Sequence, residues 1–160
     1  MQKMTILCTG KLKEKFYLEA VEEYVKRLSR FCKLEIIELP EERLPEDPSP
    51  AQIEAALSKE ADAVRAKLPN GCLVIAMCVE GRERSSEELA RYLADSAAQG
   101  ASHIVFLIGS SFGMHESLKR QAALRLSMSP MTFPNHLARV MVLEQVYRAF
   151  QIAAGTRYHK

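Results

Sequence analysis

The last four residues, Arg157-Tyr158-His159-Lys160, set a cation, a phenol, an imidazole and a second cation side by side. Each has a use against a nucleotide. Tyr can stack on a base, Arg and Lys can hold phosphate, and His can move a proton near neutral pH. The plainer alternative is a disordered tail, which short polar termini commonly are. Upstream, Arg148 lies four residues after Glu144. That spacing gives an i,i+4 ion pair on a helix, or a cation kept for a buried anionic partner.

Three loops could hold a ligand: Glu80-Gly81, Gly109–Gly113 and Ser127–Pro134. Gly109-Ser110-Ser111-Phe112-Gly113 looks like half of a glycine-rich phosphate loop, but GxGxxG and GK[ST] are absent. Ser110 or Ser111 as a hydrolase nucleophile would need GxSxG, which is also absent. Ser127–Pro134, SMSPMTFP, carries Pro130 and Pro134. Proline fixes φ, removes a donor and restricts the residue before it, so this stretch is a shaped, non-helical loop. It is either a connector or a binding loop; in α/β proteins ligands sit beyond the carboxyl ends of strands.

A metal centre has no support. Cys8, Cys32, Cys72 and Cys78 form no CxxC, and His103, His115, His136 and His159 form no HExxH. The cysteines read as small apolar core residues. Net charge is only +2, yet it is unevenly spread. Residues 38–60 hold seven acids against Arg43 and Lys59, whereas residues 118–160 hold seven Lys and Arg against Glu144 alone. The basic end suits a phosphate-bearing partner.

The elements that must position these residues follow from periodicity. The length, 160 residues, suggests one domain over 1–160, and 48% hydrophobic residues suffice for a core. Strands are expected at Met4–Cys8, Leu34–Leu39, Cys72–Val79, His103–Ile108 and Leu126–Met128. Cys72–Val79 and His103–Ile108 are continuous apolar runs, the pattern of strands buried on both faces. Helices are expected over 14–30, from Pro50 to Leu68, from Ser86 to about Gly100, over about 115–124 and over 135–154. Ser49 with Gln52, and Ser85 with Glu88, form capping boxes, the second opening a helix expected to turn Leu89, Leu93 and Ala97 inward. Glu80-Gly81-Arg82 reads as a loop. Val140–Leu143 is apolar all round, which suggests burial on more than one side and contact with another subunit. The strict β-α alternation predicts an α/β protein with a mostly parallel sheet and helices on both faces. No apolar run reaches membrane-spanning length, and the N-terminus reads as a strand and not a signal peptide, so a cytoplasmic location is the default.

Several stretches together resemble a known family. MTILCTGKLKEKFY, FLIGSSFG, SMSPMTFP and above all MTFPNHLARVMVLEQVYRAF with the terminal YHK are similar to the ribosomal RNA large subunit methyltransferase H family. That family belongs to the SPOUT class. The resemblance covers essentially the whole chain. It implies an α/β fold with a C-terminal trefoil knot, a homodimer joined by the last helix, and no membrane or metal partner. The implied reaction takes a methyl group from S-adenosyl-methionine to N3 of a pseudouridine in 23S ribosomal RNA on the ribosome. The implied cofactor pocket is formed by Met77, Gly109 and the loop Met128, Ser129, Pro130, Met131, Thr132 and Phe133. Arg148, Tyr158 and His159 would serve the substrate side, His159 as a base for the N3 proton and Arg148 as a stabiliser of the anion. The chain departs from the family pattern at Gly109-Ser110, where Gly-Gly is expected, so Ser110 would narrow the room near the cofactor. Two other classes remain open from the residues: an α/β nucleotide-binding hydrolase, and an RNA-binding assembly module without activity.

Overall fold

The computed structural model describes residues Met1–Lys160. Ten elements alternate along the chain: β1 Lys3–Thr9, α1 Lys15–Leu28, β2 Lys33–Leu39, α2 Pro50–Lys67, β3 Leu73–Glu83, α3 Ser86–Ala98, β4 His103–Ile108, α4 Glu116–Gln121, β5 Leu124–Ser127 and α5 Asn135–Ala153. The strands form one sheet in the order β2-β1-β4-β3-β5, and every pairing is parallel. Parallel neighbours need crossovers, and the helices supply them.

One face of the sheet carries α1, α3 and α5. There Val21, Leu28, Leu89, Leu93, Val142, Leu143 and Val146 pack on Met4, Ile6, Ile75, Ile104 and Phe106. The other face carries α2 and α4, with Ala61, Val64 and Leu118 against Leu7, Val74, Val105 and Leu107. Alternate residues of β1 and β4 therefore enter opposite cores, which is why those strands are apolar without a break. Both capping boxes form: the Ser49 and Ser85 hydroxyls accept from the Gln52 and Glu88 N–H groups, and the Gln52 and Glu88 side chains accept in return.

Three expectations change. β3 does not stop at Val79 but runs to Glu83, so Glu80-Gly81-Arg82 is strand and not loop. Leu126 of β5 pairs with both Met77 and Arg82, and residues 78–81 bulge out between them. The bulge admits the close passage of Gly81, whose missing Cβ would stand 2.8 Å from the Arg125 carbonyl carbon. α4 is shorter than predicted, because the Ala123 N–H already bonds to the Val74 carbonyl and draws the chain into β5, which begins at Leu124. Ser96, not Ala97, faces the core on α3. The all-round apolar run on α5 is buried on more than one side, as expected, while Val140 and Met141 stay partly exposed. α5 lies between α1 and α3 on the sheet, with Val142 and Leu143 fully buried and Val140 packed on the same core.

Arg139 of α5 is the largest fully buried side chain, 1% exposed. Its guanidinium bonds to the Glu38 carboxylate and, at 3.2 Å, to the Gly10 carbonyl. Glu38 also accepts from the Leu12 N–H at 2.9 Å. Burial pushes the Glu38 carboxyl up, but these donors outweigh it and the net shift is downward. The pair fixes the start of α5 to the carboxyl ends of β1 and β2.

Candidate active site

A cavity of about 780 Å³ opens at the carboxyl ends of β1, β4, β3 and β5. Met77, Gly109, Met128, Ser129, Met131, Thr132 and Phe133 all line it, and Pro130 does not. Three separate segments predicted to form one pocket thus meet in space. Gly109 is required at its place: a Cβ there would come within 2.4 Å of the Gly113 carbonyl oxygen. The turn it opens is closed by paired hydrogen bonds between the backbones of Ser110 and Gly113, at 2.9 and 3.0 Å.

The proline loop is held by its own serines. Ser127 Oγ donates to the Ser129 carbonyl at 2.9 Å, and Ser129 Oγ accepts from the Met131 N–H at 3.1 Å. The backbone N–H groups of Thr132 and Phe133 have no partner within the chain. A stiff loop with free backbone donors can read the edge of a planar ligand without side chains.

The acidic segment 38–60, whose purpose the sequence left open, frames the same turn. Glu60 on α2 is 7% exposed, accepts from Ser110 Oγ at 2.7 Å, and takes the Glu42 N–H at 2.9 Å on its other oxygen. Burial pushes the Glu60 carboxyl up, against the pull of both donors. Glu41, on the cavity wall, accepts from the Ser111 N–H at 2.9 Å. The Ser110 hydroxyl is therefore bound to a residue outside the cavity wall and does not stand free beside a ligand. On the opposite rim Lys119 and Glu80 pair, and that contact is the main cause holding the Glu80 carboxyl low. Glu80 was a candidate from the sequence, but sequence reasoning missed Glu41, Glu60 and Lys119 at this site, because each lies far along the chain from the segment it supports.

The tail residues form a second cluster. Arg148 binds Glu144 through Nε at 2.8 Å and Nη2 at 2.7 Å, the helical pair expected from the spacing. Tyr158 Oη donates to Glu144 at 2.8 Å, and Tyr24 Oη does so at 2.7 Å. Burial pushes Glu144 up, but these three partners outweigh it and its carboxyl lies low. Arg148 lies over the Tyr158 ring at 4.7 Å, and Tyr158 meets Tyr147 edge-on at 4.9 Å. His159 Nδ1 faces Arg148 at 3.2 Å, and Nε2 faces Glu87 at 2.6 Å. Arg148 offers only donors and the Glu87 carboxylate only acceptors, so those partners suit Nδ1 as acceptor and Nε2 as donor. The tail is docked, not disordered.

The two clusters are not brought together. Asn135 and His136, at the start of α5, line the cavity, whereas Glu144 and Arg148, which hold the tail, lie further along it. From Asn135 to Arg148 the helix rises roughly 20 Å. Catalytic and cofactor residues predicted to act on one reaction are thus separated within one chain.

A parallel α/β sheet with a ligand-sized cavity at its carboxyl edge defines a class of ligand-binding α/β domains, and comparison with known proteins narrows it. A family model described as "Predicted SPOUT methyltransferase" matches residues 2–159. A protein of Streptococcus uberis named ribosomal RNA large subunit methyltransferase H is 44% identical over 158 residues, covering 99% of each chain. One of Clostridium perfringens, ribosomal RNA large subunit methyltransferase H 1, is 45% identical over 157 residues, covering 98% of this chain and 99% of its own. A solved structure, a probable methylase family protein from Haemophilus influenzae, superimposes with a TM-score of 0.54 at 14% identity, covering 99% of this chain and 71% of its own, and supports the fold. The chain belongs to the ribosomal RNA large subunit methyltransferase H family of SPOUT methyltransferases, and it is a methyltransferase.

Proposed function

We propose that the protein methylates N3 of a pseudouridine in 23S ribosomal RNA on the ribosome, with S-adenosyl-methionine as the donor. The observation that carries this is the convergence of Met77, Gly109 and Met128–Phe133 on one cavity, together with relatives named as ribosomal RNA methyltransferases. The site suits a planar, flexible donor. Gly109 leaves a cradle that a Cβ would fill, Thr132 and Phe133 offer backbone donors, and Met77 offers an apolar wall. Pro130 serves by stiffening the loop. The donor supplies a methyl group activated on a sulfonium; the chain's task is positioning and removal of the N3 proton. His159 takes that proton at Nδ1 once Arg148 turns from the ring to the developing anion. A cytoplasmic location follows from the ribosomal substrate.

The reading includes a homodimer. A tail held on Glu144 and Arg148, roughly 14–20 Å along α5 from the cavity residue Asn135 of its own chain, can serve a cavity in a second copy, and α5 at the interface would bring the two together. It also includes a single catalytic domain over 1–160 and a trefoil knot in the C-terminal half. Supporting the knot are the close passage of Gly81 along Arg125 and Leu126 and the pairing of Leu126 with β3 on both sides of the bulge.

Calorimetry with S-adenosyl-methionine, followed by methyl incorporation into ribosomes that lack the modification, tests the reading. Binding and one methyl group at pseudouridine N3 are expected. Binding without incorporation into any ribosomal particle overturns the substrate; no binding in any assembly state overturns the donor.

A further inference from the structure

We propose that the turn between β1 and α1 is an RNA-docking lip beside the cavity, where Lys11, Lys13 and Lys15 hold phosphates and the Phe16 ring stacks on an unpaired base. The proposal rests on the ribosomal RNA reading above and names the part of the chain that grips that RNA.

The lip has a rigid base. β1 ends at Thr9, which lines the cavity. Gly10 then turns at φ +119°, with its N–H on the Leu39 carbonyl and its own carbonyl on buried Arg139. The Leu12 N–H is held by Glu38, and the Leu12 side chain packs on the core. On this base every second residue is a lysine, and all three are exposed. Lys11 and Lys13 close no ion pair, and Lys15 meets Glu19 only at 3.7 Å between two exposed side chains. Glu14, the acid among them, is drawn 3.2 Å from the His136 ring on the cavity wall. The cations are thus left for an outside anion.

Phe16 follows at once and is 64% exposed. Its ring stands 4.4 Å from Tyr17, whose ring meets His136 edge-on at 5.9 Å. Aromatic faces therefore lead from the lysines to the cavity rim. The occupant is argued from charge and from the helix surface. Residues on a helix advance about 100° each, so Leu18 and Val25, the other exposed apolar residues of α1, lie almost opposite Phe16. Phe16 is not part of their stripe. A bare ring amid free lysines suits single-stranded nucleic acid, which offers a phosphate chain and π-faces.

The test titrates the full-length protein with a dye-labelled single-stranded RNA of about 20 nucleotides across a range of KCl concentrations. Lys11→Gln with Lys13→Gln is expected to weaken binding and to lower the slope of log affinity against log salt by about 1.4, two phosphate contacts at roughly 0.7 each. Phe16→Ala is expected to weaken binding about 5- to 150-fold at every salt concentration, leaving the slope unchanged. Phe16→Trp restores binding and Phe16→Leu does not. Methyl-donor affinity and sedimentation behaviour stay as in the wild type. An unchanged slope, or rescue by Leu, overturns the lip. So does a Phe16→Ala protein that dissociates or loses donor binding, since Phe16 then belongs to a subunit contact or to the cavity. Should the wild type bind RNA in this way yet methylate no ribosome, the substrate reading fails and the lip stands. If it methylates ribosomes and the lip variants match it in RNA affinity and kcat/KM, the lip fails alone.

Discussion

At the scale of single residues, the site depends on atoms that are missing as much as on atoms present. A methyl group at Gly109 would overlap the Gly113 carbonyl, so Gly109→Ala must push the turn apart. We expect that variant to remain folded but to lose S-adenosyl-methionine binding in calorimetry; wild-type affinity would refute the cradle. Arg139 is the converse, a charge that must be present. Removing it strands Glu38 in a partly buried place, and Arg139→Ala is expected to cost about 3–5 kcal/mol of unfolding free energy in urea. The same pair sets an acid limit. Because the Glu38 carboxyl is held below its ordinary range, its stabilising share is present above that range and lost as pH falls through the lowered value. Gly109 was legible in the sequence as a glycine after an apolar strand. Arg139 was not, because its partner Glu38 lies 101 positions away, and no local pattern encodes such a pair.

At the scale of elements, order and type were legible because the two periodicities, 2 and 3.6, alternate cleanly along the chain. What failed were boundaries decided by neighbours. β3 continues past Val79 only because β5 pairs with it on both sides of a bulge, and α4 ends early because β5 claims Ala123. The acidic β2–α2 segment was the largest unread piece, and Glu60 gives it a purpose. Through Ser110 and Glu42 it ties α2 to the cavity turn and to the stretch that carries Glu41. The folded carboxyl is raised above its ordinary value. Its contribution to stability is therefore complete below the ordinary glutamate range and falls as pH rises through the raised value. Gln at this position does not titrate. The unfolding free energy of Glu60→Gln relative to wild type should thus increase with pH across that window, measured by urea midpoints between acid and neutral pH. Parallel profiles would show that Glu60 titrates as a solvated group does. Glu60→Ala, which leaves the Ser110 hydroxyl only its long 3.4 Å contact with the Gly113 carbonyl, is expected to weaken donor binding.

At the scale of the whole molecule, the separation between cavity and tail bears on the proposed assembly. α5 places Asn135 at the cavity and Arg148 more than three turns further on, and the tail turns back onto Glu144 and Glu87. Tyr158 and His159 are held on Glu144 and Arg148, roughly 14–20 Å along α5 from Asn135, so the docked tail does not present His159 to a methyl group held beside Gly109. A two-fold dimer can do so, since each tail then has a second cavity to serve. Mixed dimers separate this arrangement from a tail that unfolds back to its own cavity. One protomer carries Gly109→Ala and the other His159→Ala, each inactive as a pure protein. If the site is shared, a mixed dimer holds one doubly defective site and one wholly intact site. Random mixing then makes half the dimers mixed and restores about a quarter of wild-type methyl transfer. If each tail serves its own chain, every site in every dimer carries one defect and mixing restores nothing. Sedimentation of the mixture fixes the dimer fraction, so an absence of rescue in a fully dimeric sample rejects the shared site. A quarter of full activity would place the tail of one copy over the cavity of the other and give the length of α5 its catalytic meaning.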